Sequence, residues 1–212
     1  MGAPTTWVLS NHDKHRHVTR YGDGPVGLRR ARAGTLLMLA LPGSAYLYNG
    51  EELGLPEVLD LPDALREDPA FRRTGESRDG CRVPLPWSGT HADGFGFGPA
   101  GAAKPWLPQP ADWGEHSVER EAADPNSMLS WYRTLLAHRP LLSGDLEWVD
   151  VDLPECLAFE RDGALVVANV GEESFELPEA LVAGRTIILA SQPDATTTSI
   201  PANTCVWLSP AH

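Results

Sequence analysis

The chain has 212 residues, enough for one medium domain or one and a half small ones. With 17 basic and 29 acidic residues its formal charge is −12. That balance argues against nucleic acid, whose phosphates need Lys and Arg, and against anionic membrane surfaces. A neutral substrate fits it, as does plain solubility.

The first element in chain order is Thr5 to Ser10, largely apolar and poorly alternating, which predicts a short buried strand of the parallel type. Asn11, His12 and Asp13 follow at once. Polar residues at the C-terminal end of such a strand are where a (β/α)8 barrel puts its chemistry. A basic, polar loop from Lys14 to Pro25 leads into a helix from about Val26 to Ala40, stopped by Pro42-Gly43. Ser44 to Tyr48 predicts another strand, closed by Asn49-Gly50-Glu51-Glu52. Strand, helix, strand, each strand ending on polar residues, is a parallel α/β pattern.

From Leu53 to about Ala123 the chain is loop-rich, with a short acidic helix expected near Pro62 to Glu67. The 20 glycines and 19 prolines exceed average usage, and the excess sits mostly between Gly75 and Pro110, which implies long, shaped loops there. Ser127 to His138 predicts a helix with Met128, Leu129, Trp131, Tyr132, Leu135 and Leu136 on a buried face. Asn126 or Ser127 would cap it, and Pro140 ends it. After Pro140 to Gly144 the texture becomes all-β, with short strands expected at Leu146 to Val151, Cys156 to Arg161, Ala164 to Val170, Ser174 to Leu177, Thr186 to Ala190 and Thr204 to Leu208. Asp162-Gly163 is a strong hairpin signal.

Cys81, Cys156 and Cys205 match no zinc spacing. They read as free thiols in a reducing, cytoplasmic compartment, or as one free thiol beside a Cys156–Cys205 bridge. No signal peptide is evident, and the longest apolar run, Leu36 to Leu41, is far too short to span a bilayer. His12, His15 and His17 do not have a zincin spacing, and basic residues intervene, so no metal is expected. The glycines between Gly94 and Gly101 form no phosphate cradle, and no cofactor is expected. Glu51 and Glu52, adjacent on an extended chain, face opposite ways and cannot form one catalytic dyad; one of them is expected to be a structural group.

Four strings carry the functional information: WVLSNHD at Trp7 to Asp13, RYGDG at Arg20 to Gly24, GSAYLYNGEELGLP at Gly43 to Pro56, and RDGCRVPLPW at Arg78 to Trp87. In that order they resemble glycoside hydrolase family 13, the α-amylase superfamily, nearest its bacterial α-glucosidases and oligo-1,6-glucosidases. The resemblance covers essentially the whole chain, including the helix SMLSWYRTLLAHRP. It implies an α/β fold: the C-terminal part of a (β/α)8 TIM barrel over residues 1–140, holding strands seven and eight and a long strand-eight loop. A small antiparallel β domain over residues 141–212 would follow.

The resemblance further implies that Asp13 stabilises the oxocarbenium-like transition state, that His12 hydrogen-bonds the same sugar ring, and that Arg78 holds the non-reducing end. Arg16 is a fourth candidate for the same pocket, with a surface ion pair as the equal alternative, and Arg20 reads better as a surface ion-pair partner. Arg82 reads equally as a member of that pocket or as a structural partner of Asp79 or Glu76. Of Trp87, Phe95, Phe97, Trp106 and Trp113, one or two would line sugar subsites, or all would pack the loop itself.

The family's nucleophilic Asp and acid/base Glu come from strands that would precede Met1, so the chain is expected to be catalytically incomplete. The implied partners are an oligosaccharide and a missing N-terminal half of the same enzyme. A non-catalytic carbohydrate-binding or assembly module, or a decayed gene product, is the alternative.

Overall fold

A computed structural model describes residues 5–211. The chain divides into two compact units that interleave along the sequence: residues 1–8, 25–46 and 134–212 form one, and residues 9–24 and 47–133 the other.

In the first unit, β1 (Thr6–Val8) and β2 (Ser44–Tyr46) pair in parallel, with Trp7 opposite Ala45. The helix Gly24–Ala40 lies between them in sequence and buries Ala31, Thr35, Leu36, Met38, Leu39 and Ala40. Gly43 makes the turn into β2 with φ of +105°; any side chain there would run into the Thr5 carbonyl. The expectation of a buried strand over Thr5 to Ser10 is corrected. β1 has three residues, and Val8 and Tyr46 are 48% and 63% exposed. A parallel strand is buried only when both faces are covered, and a two-stranded sheet leaves too little around it.

The rest of this unit is the all-β module. β3 (Glu147–Trp148), β4 (Cys156–Arg161), β5 (Ala164–Asn169), β6 (Phe175–Glu176), β7 (Ile187–Ala190), β8 (Ser199–Ile200) and β9 (Thr204–Leu208) follow in order. They form a five-stranded antiparallel sheet ordered β3-β4-β5-β9-β7 and a separate β6-β8 pair. β8 and the short helix Glu179–Val182 were not expected. Asp162 and Gly163 both have positive φ, 49° and 76°, as a two-residue hairpin turn demands.

β5 is buried along its whole length because each face meets something different. Leu165 and Val167 join Ala158, Leu177, Ile200, Val206 and Leu208 in one apolar cluster. On the other face Phe159, Val166 and Trp207 form a cross-strand row, and the Trp207 indole donates to the Leu36 carbonyl at 3.2 Å. Arg161 Nη1 donates to the Ala40 carbonyl at 2.8 Å, satisfying an orphan acceptor at the helix C-terminus. These bonds place the β module and the Gly24–Ala40 helix in one compact body.

In the second unit the loop-rich stretch builds its own core from Leu53, Leu55, Val58, Leu61, Val83, Leu85, Phe95, Leu107 and Trp113. Where a helix was expected near Pro62 to Glu67 there is a single 3-10 turn, Asp63–Leu65. The helix Met128–His138 is capped by Ser127, whose Oγ accepts the Ser130 amide at 3.1 Å. Met128, Tyr132 and Leu135 are buried in it, whereas Leu136 is exposed. All three cysteines are free thiols, which removes the Cys156–Cys205 bridge. Among the described residues no helix is long and apolar enough to cross a membrane.

Candidate active site

The site lies within the second unit, on the loop that follows Ser10 and the 3-10 turn Asp79–Arg82. Asn11 shapes the loop: its Oδ1 accepts the Asp13 amide at 2.8 Å, the side-chain turn that Asn favours. This leaves the Asp13 carboxylate half-exposed. Its Oδ1 accepts Arg78 Nη1 and Arg82 Nη2, both at 2.9 Å, and its Oδ2 stands 3.5 Å from His12 Nε2. Partial desolvation would raise the Asp13 pKa; the charges of His12 and Arg78 and the two arginine hydrogen bonds outweigh it and hold the group below the usual carboxylate value.

Arg78 is held from the other side. Its Nε and Nη2 make a bidentate pair with Asp68 at 2.7 and 2.8 Å, and Asp68 also accepts the Arg78 and Ala70 amides at 3.0 Å. The Asp68 side chain is fully covered, and its hydrogen bonds with Arg78 hold it well below the usual carboxylate range. Asp79 sets the Asp68 backbone by accepting the Glu67 and Asp68 amides at 3.0 Å. The arrangement is a chain of charge-assisted bonds, Asp68 to Arg78 to Asp13, whose last member faces solvent.

Of the sequence candidates, Asp13, His12 and Arg78 come together. Arg16 does not join them, which corrects the expectation that it faces the same pocket. It is 1% exposed, and its guanidinium donates backward to the carbonyls of Asn49 at 2.9 Å and Cys81 at 3.1 Å. Its cation lies 5.2 Å from the Tyr48 ring centroid. Buried there, it ties three loop segments together instead of meeting a ligand. Arg20 bonds the His15 and Leu9 carbonyls.

Arg82, for which a structural pairing with Asp79 or Glu76 was the equal alternative, joins Asp13 and also donates from Nε to the His12 carbonyl at 2.8 Å. Two arginines four apart across an Asp-Gly turn were a usable signal for it. Asp68 gave none, because its role depends on chain folding back over ten residues.

The histidines separate, His12 being exposed and His17 buried, and among the described residues no three His, Cys, Asp or Glu side chains gather as metal ligands. The loop aromatics divide: Phe95 and Trp113 are core, whereas Trp87, Phe97 and Trp106 are exposed, the last two as an edge-to-face pair with centroids 5.3 Å apart.

Residues 2–142 match the α-amylase catalytic-domain family model. The chain belongs to that family, glycoside hydrolase family 13, and its matches include α-glucosidases and oligo-1,6-glucosidases. It is 38% identical over 154 residues to a probable α-glucosidase of Rhizobium meliloti, covering 68% of this chain and 26% of that protein. It is 31% identical over 203 residues to a trehalose-6-phosphate hydrolase of Bacillus subtilis, covering 81% of this chain and 35% of that protein. Among solved structures, the α-glucosyl transfer enzyme XgtA matches with a TM-score of 0.78 at 30% identity, over 98% of this chain and 40% of that one. The chain thus spans well under half the length of these relatives.

Proposed function

We propose that this chain is the C-terminal part of a retaining α-glucosidase that acts at the non-reducing end of an oligosaccharide. In this reading β1 and β2 are barrel strands seven and eight. The observation that carries it is the Asp13 carboxylate, kept ionised and half-open by Arg78 and Arg82.

Glycoside cleavage passes through an oxocarbenium-like state, and hydrogen bonds to ring hydroxyls that strengthen there lower the barrier by several kcal/mol. A fixed carboxylate supplies an acceptor for hydroxyls and a negative charge for the developing cation. His12, exposed at 3.5 Å from Asp13, would bond the same ring. Arg78 spends three of its five N–H groups on Asp68 and Asp13, which leaves donors for a sugar hydroxyl.

A retaining mechanism also needs a nucleophile and an acid/base about 5–5.5 Å apart. Asp68 is unsuited to either role, since both of its oxygens are taken by Arg78. The proposed partner is therefore a companion segment that supplies both carboxyl groups; a span of 26% and 35% of two relatives supports this. The outer edges of the β1-β2 pair are where its strands would add on. Three free thiols fit a cytoplasmic setting.

Calorimetric titration with maltose tests the sugar site: binding by the chain, lost in Asp13→Ala, is the expected result. Hydrolysis of p-nitrophenyl α-glucoside tests completeness. The chain alone should not exceed the buffer rate, and activity from it would overturn the division of labour.

A further inference from the structure

Behind the Asp13 loop lies a second group of ionisable side chains that the sugar site does not use. Ser10 and His17 close the loop at its root: Ser10 Oγ accepts the His17 amide at 2.9 Å and pairs with His17 Nδ1 at 2.9 Å. The same imidazole stands 3.9 Å from Glu51 Oε1, and both side chains are 1% exposed. In the structure neither Glu51 oxygen nor His17 Nε2 has a hydrogen-bond partner. Next to them the Arg16 amide donates to Glu57 Oε2 at 2.9 Å, and the Glu57 amide donates to Thr19 Oγ1 at 2.8 Å. The loop's exit is thus fastened to the segment after β2, and its tip carries Asp13.

We propose that His17 and Glu51 are positioning residues for Asp13, a fully buried pair that locks the root of its loop. The assignment rests on Asp13 being the sugar-facing carboxylate.

A carboxylate without donors in a dry site cannot stay charged cheaply, so the neutral acid is favoured. Burial pushes Glu51 up to about 7, with Glu52 adding to the rise; the nearby Tyr48 and Ser10 backbone, outside hydrogen-bond geometry, and the Arg16 charge lower it less. Burial likewise pushes His17 down to about 4, helped by Arg20 and Arg16, and the Tyr21 ring packs edge-on against it at 5.7 Å. Between those two values Glu51 is the neutral acid and His17 the neutral imidazole. Above neutrality Glu51 ionises beside buried Arg16, whose bonds to Asn49 and Cys81 hold the loops that present Asp13 and Arg82.

The test uses the full chain, wild type and Glu51→Gln, which mimics the protonated acid. The Arg82 Nε–H signal is followed by NMR without sugar, and maltose affinity by calorimetry, from about pH 6 to about pH 8.5. In the wild type the Arg82 signal should move with a midpoint near neutrality, and affinity should fall about five-fold, the worth of one misplaced hydrogen bond. Glu51→Gln should hold its low-pH affinity with a flat signal.

Identical pH profiles for the two proteins would overturn the assignment. If maltose binds neither protein at any pH, the sugar-site reading fails, while the NMR arm still decides the positioning role. Should Glu51→Gln not fold, the wild type suffices: the Glu51 carboxyl carbon and the Arg82 signal must share one midpoint, and separate midpoints refute the coupling.

Discussion

Arg78 Nη1 donates to Asp13 Oδ1 at 2.9 Å from a guanidinium whose opposite edge is already locked on Asp68. The proposed transition-state carboxylate is therefore oriented by an arginine that cannot swing. Removing Asp68 should release it. Asp68→Asn is expected to weaken maltose binding about ten-fold with little change in the far-UV spectrum, since charge-assisted bonds are the stronger kind. Unchanged affinity would show that Arg78 needs no anchor.

The same substitution has a pH signature. Asp68 is held below its unfolded value, so its contribution to stability is present above about pH 4 and is lost as pH falls toward its folded pKa. Wild type should melt higher than Asp68→Asn at neutral pH, and the gap should close in acid. Thermal melts across that range check it.

Glu51 and His17 predict opposite slopes. The folded pKa of Glu51 is raised to about 7, so folding stability falls as pH rises from its unfolded value through 7. His17 is lowered to about 4, so stability falls as pH drops from its unfolded value toward 4. Glu51→Gln should gain in melting temperature over wild type on moving from pH of about 5 to about 8, while His17→Gln should gain in the other direction. Parallel curves for all three proteins would contradict the buried placement.

Gly80 sits in the turn that carries Arg78 and Arg82, and an added Cβ would press on Glu57 Oε1 and the Val58 carbonyl. Gly80→Ala should cost about 1–3 kcal/mol, as overpacking does, and should also weaken maltose binding by displacing both arginines. Denaturant melts and calorimetry together test it; loss of stability alone would mean that the turn yields elsewhere.

In the β module, Gly163 takes φ of +76° beside Asp162 at +49°. Gly163→Ala should cost about 1 kcal/mol through the left-handed backbone, without touching sugar binding.

Much of this was legible locally. The NHD string placed Asp13 and His12, the Asp162-Gly163 pair marked a hairpin that the structure contains, and the apolar period of Met128 to Leu135 marked a helix. Each depends on a few neighbouring residues and on the geometry of a single element. The role of Arg16 was not legible, because a charged residue three positions from Asp13 carries no sign of which way its side chain turns; the carbonyls of Asn49 and Cys81 decide it.

Family and order of elements were determined by the sequence itself, through short strings and periodicities that act along the chain. Only the tertiary structure decided which charges meet. It set Asp68 behind Arg78, brought Arg82 onto Asp13, and buried His17 against Glu51. Those pairings join residues from 10 to 69 positions apart, and their energies depend on distance and burial, which a linear sequence does not encode one residue at a time.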